Sequence, residues 1–262
     1  MAIGRTNNKW IRPYLNGYRA GAYAVSVGNL GFKCEVSAET TYTDGCKNAI
    51  PGRADITADA LNAVLAPSAA IGLHEQCNSG LGTFDYMVAY GIQAEPVAGN
   101  PIFAWRFDQA GYQGNPGTGF VMATIDLYTT FGSGNPAVLG GYSSPWGWLV
   151  HADGAETGAN TAAGIDDYGA GVLPDRGGVF FWQLFSSNGT VTLSLEEAST
   201  NTNVNFSALT GATSGSITAA VTPKSGQVAL AANAVVKRYI RWQLAFGDAD
   251  TATFALGWHR GR

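Results

Sequence analysis

The side chains able to do chemistry are few and scattered along the chain. There are three histidines, His74, His151 and His259. A hydrolase needs a nucleophile with a base positioned beside it, and none of the three lies in a recognisable catalytic motif. The patterns GxSxG, HExxH, GxxxxGK[ST] and GxGxxG at a strand-to-helix junction are all absent. The sequence therefore predicts a protein that is not an enzyme.

One histidine lies close to acidic residues. His151, Asp153 and Glu156 follow one another within six positions, and imidazole and carboxylate groups at such spacing can bind one metal ion. The interpretation we prefer is that they are polar loop residues after an apolar strand, 146–150.

Two pairs of aspartates offer oxygen ligands for calcium. They are Asp166-Asp167 and Asp248-x-Asp250, but the full twelve-residue calcium-loop pattern is missing around both. We predict no catalytic residue, no metal site and no cofactor.

Paired carboxylates for glycoside cleavage are the next candidates. Asp108, Asp126, Glu196 and Glu197 are the acidic residues that could form such a pair. Glu196-Glu197 is better interpreted as the end of a strand that enters the polar turn 199–205.

The aromatic content suggests either a sugar-binding face or a packed core. The chain has 7 Trp, 11 Tyr and 12 Phe. Trp182, Trp242 and Trp258 occur in register with Leu and Phe at alternating positions, so core packing is the prediction.

Two Asn-x-Ser/Thr sequences and three cysteines suggest modification sites. Asn188 and Asn205 are read as turn residues, because no secretory signal is visible at the N-terminus. Cys34, Cys46 and Cys77 form no CxxC pair and are predicted to be reduced thiols, with a Cys34–Cys46 bridge as the alternative.

The elements that must position these residues are mostly strands. Glycine is frequent, at 35 copies, and turn clusters separate short apolar stretches throughout. The predicted strands after the first quarter of the chain are 84–92, 102–107, 120–130, 146–151, 179–185, 190–196, 235–246 and 253–258. In 190–196, Val191, Leu193 and Leu195 alternate with Thr and Ser, which predicts a half-buried strand with the Thr and Ser side chains facing water.

A single helix is predicted over 57–66. Thr57 can cap it, Leu61, Val64 and Leu65 fall on one helical face, and Pro67 follows its end. The predicted fold class is all-β: a β-sandwich or barrel of antiparallel strands with this one short flanking α-helix and long loops.

The two ends of the chain carry distinct strand patterns. Residues 9–18 are interrupted by Pro13, which predicts an edge strand or an arm that adds to a neighbouring sheet, followed by a turn at Asn16-Gly17. The strands 235–246 and 253–258 are predicted to form a terminal hairpin. A polar stripe on it, Lys237, Tyr239, Arg241 and Gln243 beside Thr253 and His259, is expected to be either solvated or a subunit contact.

The domain organisation is predicted as one structural unit over 1–262, or as two β modules over about 1–152 and 153–262. The stretches 131–142 and 152–178 show the least periodicity. Loops of that length are often functional, so we expect inter-subunit contacts there.

The charge limits the partners. The net charge is −4, the pI is about 5.3 and no basic run occurs, so we expect no specific binding of nucleic acid. The apolar stretches are too short or too interrupted to cross a bilayer, and we expect no membrane partner.

Two stretches resemble bacteriophage structural proteins, especially major tail proteins. They are Lys9-Trp-Ile-Arg-Pro-Tyr-Leu-Asn-Gly-Tyr18, and Val235-Val-Lys-Arg-Tyr-Ile-Arg-Trp-Gln-Leu244 followed by 253–256. The run 191–200, with 206–212 after it, is similar to the strand, loop and valine-rich strand of those chains. The resemblance covers the last 80 residues well and the first 70 loosely.

This resemblance implies a tail tube subunit of a long-tailed phage. Such a protein stacks as rings around a DNA conduit, contacts other tail proteins, and lets DNA pass without specific binding. The rings would be hexamers, or trimers of tandem modules. The virion tail, assembled in the host cytoplasm, is the expected location. The alternatives are a capsid decoration or head-fibre protein, and a carbohydrate-binding module or adhesin.

Overall fold

The computed structural model describes residues 8–22, 24–38, 49–58, 61–64, 73–78, 82–115, 122–128, 145–167, 176–218, 224–231 and 233–261. These residues form strands, one α-helix and three short 3₁₀ turns. The strands are β1 (Ile11–Leu15), β2 (Ala24–Val27), β3 (Leu30–Ala38), β4 (Ala49–Ala58), β5 (Leu61–Val64), β6 (Thr83–Tyr90), β7 (Pro101–Asn115), β8 (Met122–Tyr128), β9 (Trp146–Glu156), β10 (Ile165–Asp166), β11 (Gly178–Ser187), β12 (Val191–Ala198), β13 (Ser207–Ile217), β14 (Lys224–Ala229), β15 (Tyr239–Phe246) and β16 (Ala252–Arg260). The helix α1 is Leu73–Asn78.

The strands form three antiparallel sheets. The large sheet has 10 strands in the order β14-β11-β16-β9-β7-β8-β5-β2, with β6 and β1 joined to it through β7. The small sheet has the order β10-β15-β12-β13, and among the described strands β3 and β4 form a sheet of two. The predicted all-β class is confirmed.

All eight predicted strands from residue 84 onward overlap an observed strand. In β12 the burial alternates as expected, because Val191, Leu193 and Leu195 are buried. The intervening Thr192 and Ser194 are half-buried rather than solvated.

The helix predicted at 57–66 is wrong. Residues 57 and 58 end β4, and 61–64 form β5, which pairs with both β2 and β8; the remaining positions of the prediction lie outside the described residues. The helical spacing of Leu61 and Val64 spans too few residues to outweigh backbone pairing on two sides. The described helix lies further along, in α1.

The N-terminal segment matches its prediction. β1 pairs only with β6 among the described strands. Asn16 and Gly17 both have positive φ, 49° and 79°, and Leu15 and Tyr18 exchange backbone hydrogen bonds around them. This is the two-residue hairpin turn that Asn-Gly favours.

The predicted terminal hairpin is wrong. β15 pairs with β12 and β10 in the small sheet, whereas β16 pairs with β11 and β9 in the large sheet. The turn between them is therefore a crossing from one sheet to the other. Alternation places side chains on faces, but it does not specify which strand lies alongside.

The central layer of the molecule is buried on both faces. On one face, Phe254, Leu256 and Trp258 of β16 pack with β11 and the small sheet in the largest core cluster. On the other, Ala255 packs with Met87 and Ile102, which belong to β6 and β7. The strands β9, β11 and β16 thus lie between the small sheet and the β6–β7 pair.

A further core lies beyond β6 and β7. It joins the opposite faces of these strands to β5, β8 and α1; its buried members include Leu61, Cys77, Phe84, Phe103 and Ile125. The β6–β7 pair therefore also has an apolar core on each side.

Strand β9 runs across residue 152, where a boundary between two modules was expected. The choice between one unit and two modules stays a prediction. The predicted loop 131–142 lies outside the described residues, and part of 152–178 belongs to β9 and β10. None of the helices among the described residues is long and apolar enough to span a bilayer.

Candidate functional site

The histidine and carboxylates considered as a metal site do not converge. Nε2 of His151 lies 2.9 Å from Oε1 of Glu156, and the imidazole packs between the rings of Trp242 and Phe254. Asp153 instead accepts two hydrogen bonds from Arg19, at 2.5 and 2.6 Å. No cluster of three or more metal-ligating side chains occurs among the described residues.

Three of the four carboxylates considered for glycoside cleavage accept hydrogen bonds within the fold. Glu196 accepts hydrogen bonds from Arg241 and Gln243, and Glu197 accepts one from the N–H of Lys237. Asp108 accepts one from the hydroxyl of Thr83, and Asp126 lies against Gly111.

The predicted polar stripe is covered at Arg241, whereas the side chain of Lys237 is 39% exposed. The guanidinium of Arg241 is buried, and besides Glu196 it contacts Asn203, the oxygen of Ala162 and the ring of Phe206. Segments near residues 160–163 and 203–206 cover this side of β15. His259 is buried in the large sheet, away from the stripe.

The tryptophans pack as predicted. Trp182 and Trp258 are buried in the largest core cluster, and Trp242 is partly buried against it. Among the cysteines, Cys77 is free and buried, and burial raises the pKa of its thiol to about 12. Cys46 and the side chain of Cys34 lie outside the described part of the chain.

Asp167 and Arg260 form a buried ion pair that we call the clasp. Nε of Arg260 lies 2.8 Å from Oδ2 of Asp167 and Nη2 lies 3.0 Å from Oδ1. The indole N–H of Trp258 donates to the same carboxylate at 2.7 Å, and Arg260 also donates to the oxygens of Val236 and Lys237. The clasp thereby joins the end of β16 to the segments beside β10 and β15.

Burial dominates the electrostatics of the clasp. Desolvation raises the pKa of Asp167 to about 6, although Arg260 and Trp258 favour the charged form. The adjacent Asp166 forms an exposed pair with Arg238 at 2.5 Å. Sequence reasoning flagged Asp166-Asp167 only as a calcium candidate, because a partner 93 positions away along the chain leaves no local signal.

A second buried network holds the N-terminal turn. The N–H of Gly17 donates to Oε1 of Gln183 at 2.6 Å, and Nε2 of Gln183 donates to the oxygen of Asp85 at 2.9 Å. The carboxylate of Asp85 accepts from Arg106 and Ser225. A side chain on Gly17 would meet backbone atoms of Lys224 and Leu184 at 2.5 to 2.8 Å, so only glycine fits there.

Exposed apolar side chains lie on segments that are connected to the clasp by the chain or by hydrogen bonds. Trp148 donates its indole N–H to the oxygen of Asp167 at 2.8 Å while 37% of the residue stays exposed. Val97, 57% exposed, begins a turn that hydrogen-bonds to Leu149, and Val235, 64% exposed, precedes Val236 of the clasp. We call Val97, Trp148 and Val235 the end surface. Where exposed apolar groups form one contiguous patch, the patch is typical of contact sites.

The two crossings between the large and small sheets lie side by side. The first crossing, 188–190, joins β11 to β12, and the second, 247–251, joins β15 to β16. The N–H of Gly247 donates to the oxygen of Thr190 at 2.8 Å. We call these two segments the crossing corner.

The long edge strand β13 is not a flat template for another strand. Its register with β12 shifts twice, and Gly211 and Gly215 have positive φ. Leu209 and Ala212 turn inward to the core that also holds Leu230. Irregularities of this kind interrupt the open row of backbone groups.

Comparison with known proteins gives the following. Neither a protein-family model nor a curated protein matches the sequence. Among solved structures, the chain is similar to the SPP1 Dit (gp 19.1) protein, described as a paradigm of the hub adsorption apparatus in Gram-positive infecting phages. The identity is 10%, over 95% of this chain and 98% of that one, with a TM-score of 0.32.

It is also similar to chains of a phage p2 baseplate in its activated conformation. For the baseplate structure with Sr, the identity is 11% over 94% of this chain and 97% of the other, with a TM-score of 0.29. For the baseplate structure with Ca, the identity is 11% over 96% of this chain and 98% of the other, with a TM-score of 0.29. TM-scores this low do not establish a common fold.

Proposed function

We propose that this protein is a structural subunit of a bacteriophage virion, located in the tail, and more narrowly that it is a tail tube subunit that stacks as rings around a DNA conduit. The observation that carries the proposal is that many charged side chains form ion pairs within the chain. The carboxylates of Asp85, Asp153, Asp166, Asp167 and Glu196 each bind an arginine inside the chain.

Charges used in this way stabilise one arrangement of layers rather than act on a substrate. The resemblance of 9–18, 235–244 and 253–256 to major tail proteins supports the choice of a virion protein. A net charge of −4 suits a passage through which DNA moves without adhering.

The end surface is the contact face that we propose for neighbouring copies. It presents apolar groups on a support that the clasp fixes, so little conformational freedom is lost when a second copy binds. Trp148 in particular has its ring held by the hydrogen bond to Asp167.

Electron microscopy of the purified protein over a concentration series tests the function. Rings or tubes with a central channel are expected. Single rings that never stack would favour a terminal position in the tail over a tube, and monomers at every concentration would contradict assembly by this chain alone.

Two substitutions test the contact face. Val97→Glu and Val235→Glu place charges on the end surface and should prevent assembly without lowering thermal stability. Val204→Glu is the matched control, because Val204 is 89% exposed and lies in the 3₁₀ turn Asn203–Asn205, outside the end surface. Loss of assembly in the control as well would contradict the assignment of this face.

A further inference from the structure

The crossing corner holds an Asn-Gly pair, Asn188-Gly189, in an unusual setting. Asn188 is exposed and Gly189 is buried. A Cβ on Gly189 would lie 2.7 to 2.8 Å from backbone atoms of Asp248 and Ala249, so no larger residue fits there.

The side-chain amide of Asn188 is held by the opposite crossing. Its oxygen Oδ1 accepts hydrogen bonds from the backbone N–H groups of Asp250, at 3.0 Å, and Thr251, at 3.1 Å. Its nitrogen Nδ2 donates to the carboxylate of Asp250. Two N–H donors on one carbonyl oxygen stabilise negative charge that develops there.

The backbone nitrogen that follows, that of Gly189, makes no hydrogen bond to another described residue. The N–H of Asn188 donates to the oxygen of Thr251, and that of Thr190 donates to the carboxylate of Asp248. Gly189 lies between them. Among the described residues, its oxygen accepts a hydrogen bond from the hydroxyl of Ser187. No hydrogen bond between the N–H of Gly189 and another described residue has to be broken before the nitrogen can react.

We propose that Asn188-Gly189 is a self-modification site at which the folded chain converts Asn188 through a cyclic imide. The nitrogen of Gly189 attacks Cγ of Asn188, and the oxyanion forms on Oδ1 between the two N–H donors. The C–N bond to Nδ2 then breaks. Asp250 carries the proton from the Gly189 nitrogen to Nδ2, which leaves as ammonia. Water opens the imide to aspartate or isoaspartate.

The product adds negative charge at the crossing corner. The new carboxylate would face Asp250 and lie near Asp248, whose pKa is lowered by its hydrogen bonds from Thr190. Like charges at this spacing repel, and isoaspartate also lengthens the backbone. Conversion therefore loosens the tie between the two sheet crossings.

The chain contains an internal control, Asn16-Gly17. There the N–H of Gly17 is buried in a hydrogen bond of 2.6 Å to Gln183. The same dipeptide thus has its nucleophile blocked in one place and free in the other.

Mass spectrometry of the full-length protein after ageing at neutral pH tests the proposal. Trypsin separates the two sites, in fragments 177–224 and 10–19. Asn188 should convert faster than Asn16 by about tenfold, the factor that ~1.4 kcal/mol for one hydrogen bond represents. The product should include isoaspartate, detected by enzymatic methylation, because direct hydrolysis of the amide yields aspartate alone. Conversion at Asn188 no faster than at Asn16, or without isoaspartate, would overturn the proposal.

Asp250→Asn tests the proton carrier, because it removes the carboxylate and keeps the backbone donors. The rate at Asn188 should fall by about tenfold or more, as for loss of a general base. Asp166→Asn removes an exposed carboxylate elsewhere and should leave that rate unchanged. An unchanged rate in Asp250→Asn would overturn the assigned role of Asp250.

Discussion

The two faces of strand β16 differ in the size of the side chains that they pack against neighbouring layers. Towards the small sheet it presents Phe254, Leu256 and Trp258, and then Arg260 of the clasp. Towards β6 and β7 it presents Ala255 and Gly257. One face fills a wide gap with large side chains and closes it with an ion pair. The other lets two layers approach closely at Gly257, where a Cβ would press on the Ile102 side chain.

The clasp gives the strongest test of this difference. Arg260→Met removes the cation from a buried carboxylate, and we expect a loss of about 4–5 kcal/mol in the free energy of unfolding. Urea unfolding measures it. The double variant Asp167→Leu/Arg260→Met leaves no buried charge and should recover most of the loss. A double variant as unstable as the single one would show that shape, rather than charge, is the source.

The large side chains of the same face come next. Phe254→Ala removes a fully buried ring from the core between the two sheets, and should cost about 3–4 kcal/mol through lost burial and the cavity left behind. Val204→Ala, at an exposed site, should change stability little in the same unfolding experiment. A small effect of Phe254→Ala would mean that this core can collapse around the gap.

The pH dependence of stability reports on the clasp without a change of shape. The pKa of Asp167 is raised from 3.8 to about 6 in the folded chain. The stability linked to this carboxyl is therefore fully present below pH 3.8 and is lost as the pH rises through about 6, by about 3 kcal/mol. Unfolding from about pH 4 to about pH 7 should show this decline. The same component should be missing from Asp167→Asn, and an identical profile in that variant would contradict the assignment.

The small-residue face is tested at Gly257. A Cβ there would press on the end of the Ile102 side chain and lie 3.1 Å from Sδ of Met87. Because both contacts are the far ends of flexible side chains, Gly257→Ala should cost about 2 kcal/mol in thermal or urea unfolding. Gly158→Ala has nothing within 4 Å and serves as the control. Equal effects at the two glycines would mean that the layers are not in close contact at Gly257.

The smallest effect is expected at an exposed ion pair. Arg19 contacts Asp153 through two hydrogen bonds, but 51% of its side chain is exposed. Arg19→Ala should therefore cost only about 0.5 kcal/mol, and less at high salt. A loss comparable to that of Arg260→Met would remove the distinction between buried and exposed pairs in this protein.

The sequence predicted the candidate sites far less well than the fold. From the sequence, Asp167 was considered as a calcium ligand and Asn188 was interpreted as a turn residue. The sequence did not indicate that Arg260 is the partner of Asp167 or that Asp250 is the partner of Asn188. Each partner is contributed by a distant part of the chain, at separations of 93 and 62 residues. Spacing along the sequence carries no information about such contacts until the sheets are paired.

The sequence by itself determined the features that depend on residues close together along the chain. The alternation in β12, the strand positions from residue 84 onward and the hairpin turn at Asn16-Gly17 follow from side-chain periodicity and from the tolerance of Asn and Gly for positive φ. The tertiary structure alone decided that β15 and β16 belong to different sheets, that 61–64 is a strand, and that both faces of β16 are buried. The physical reason is that strands are stabilised by hydrogen bonds and packing from distant segments, which a local pattern permits but does not select.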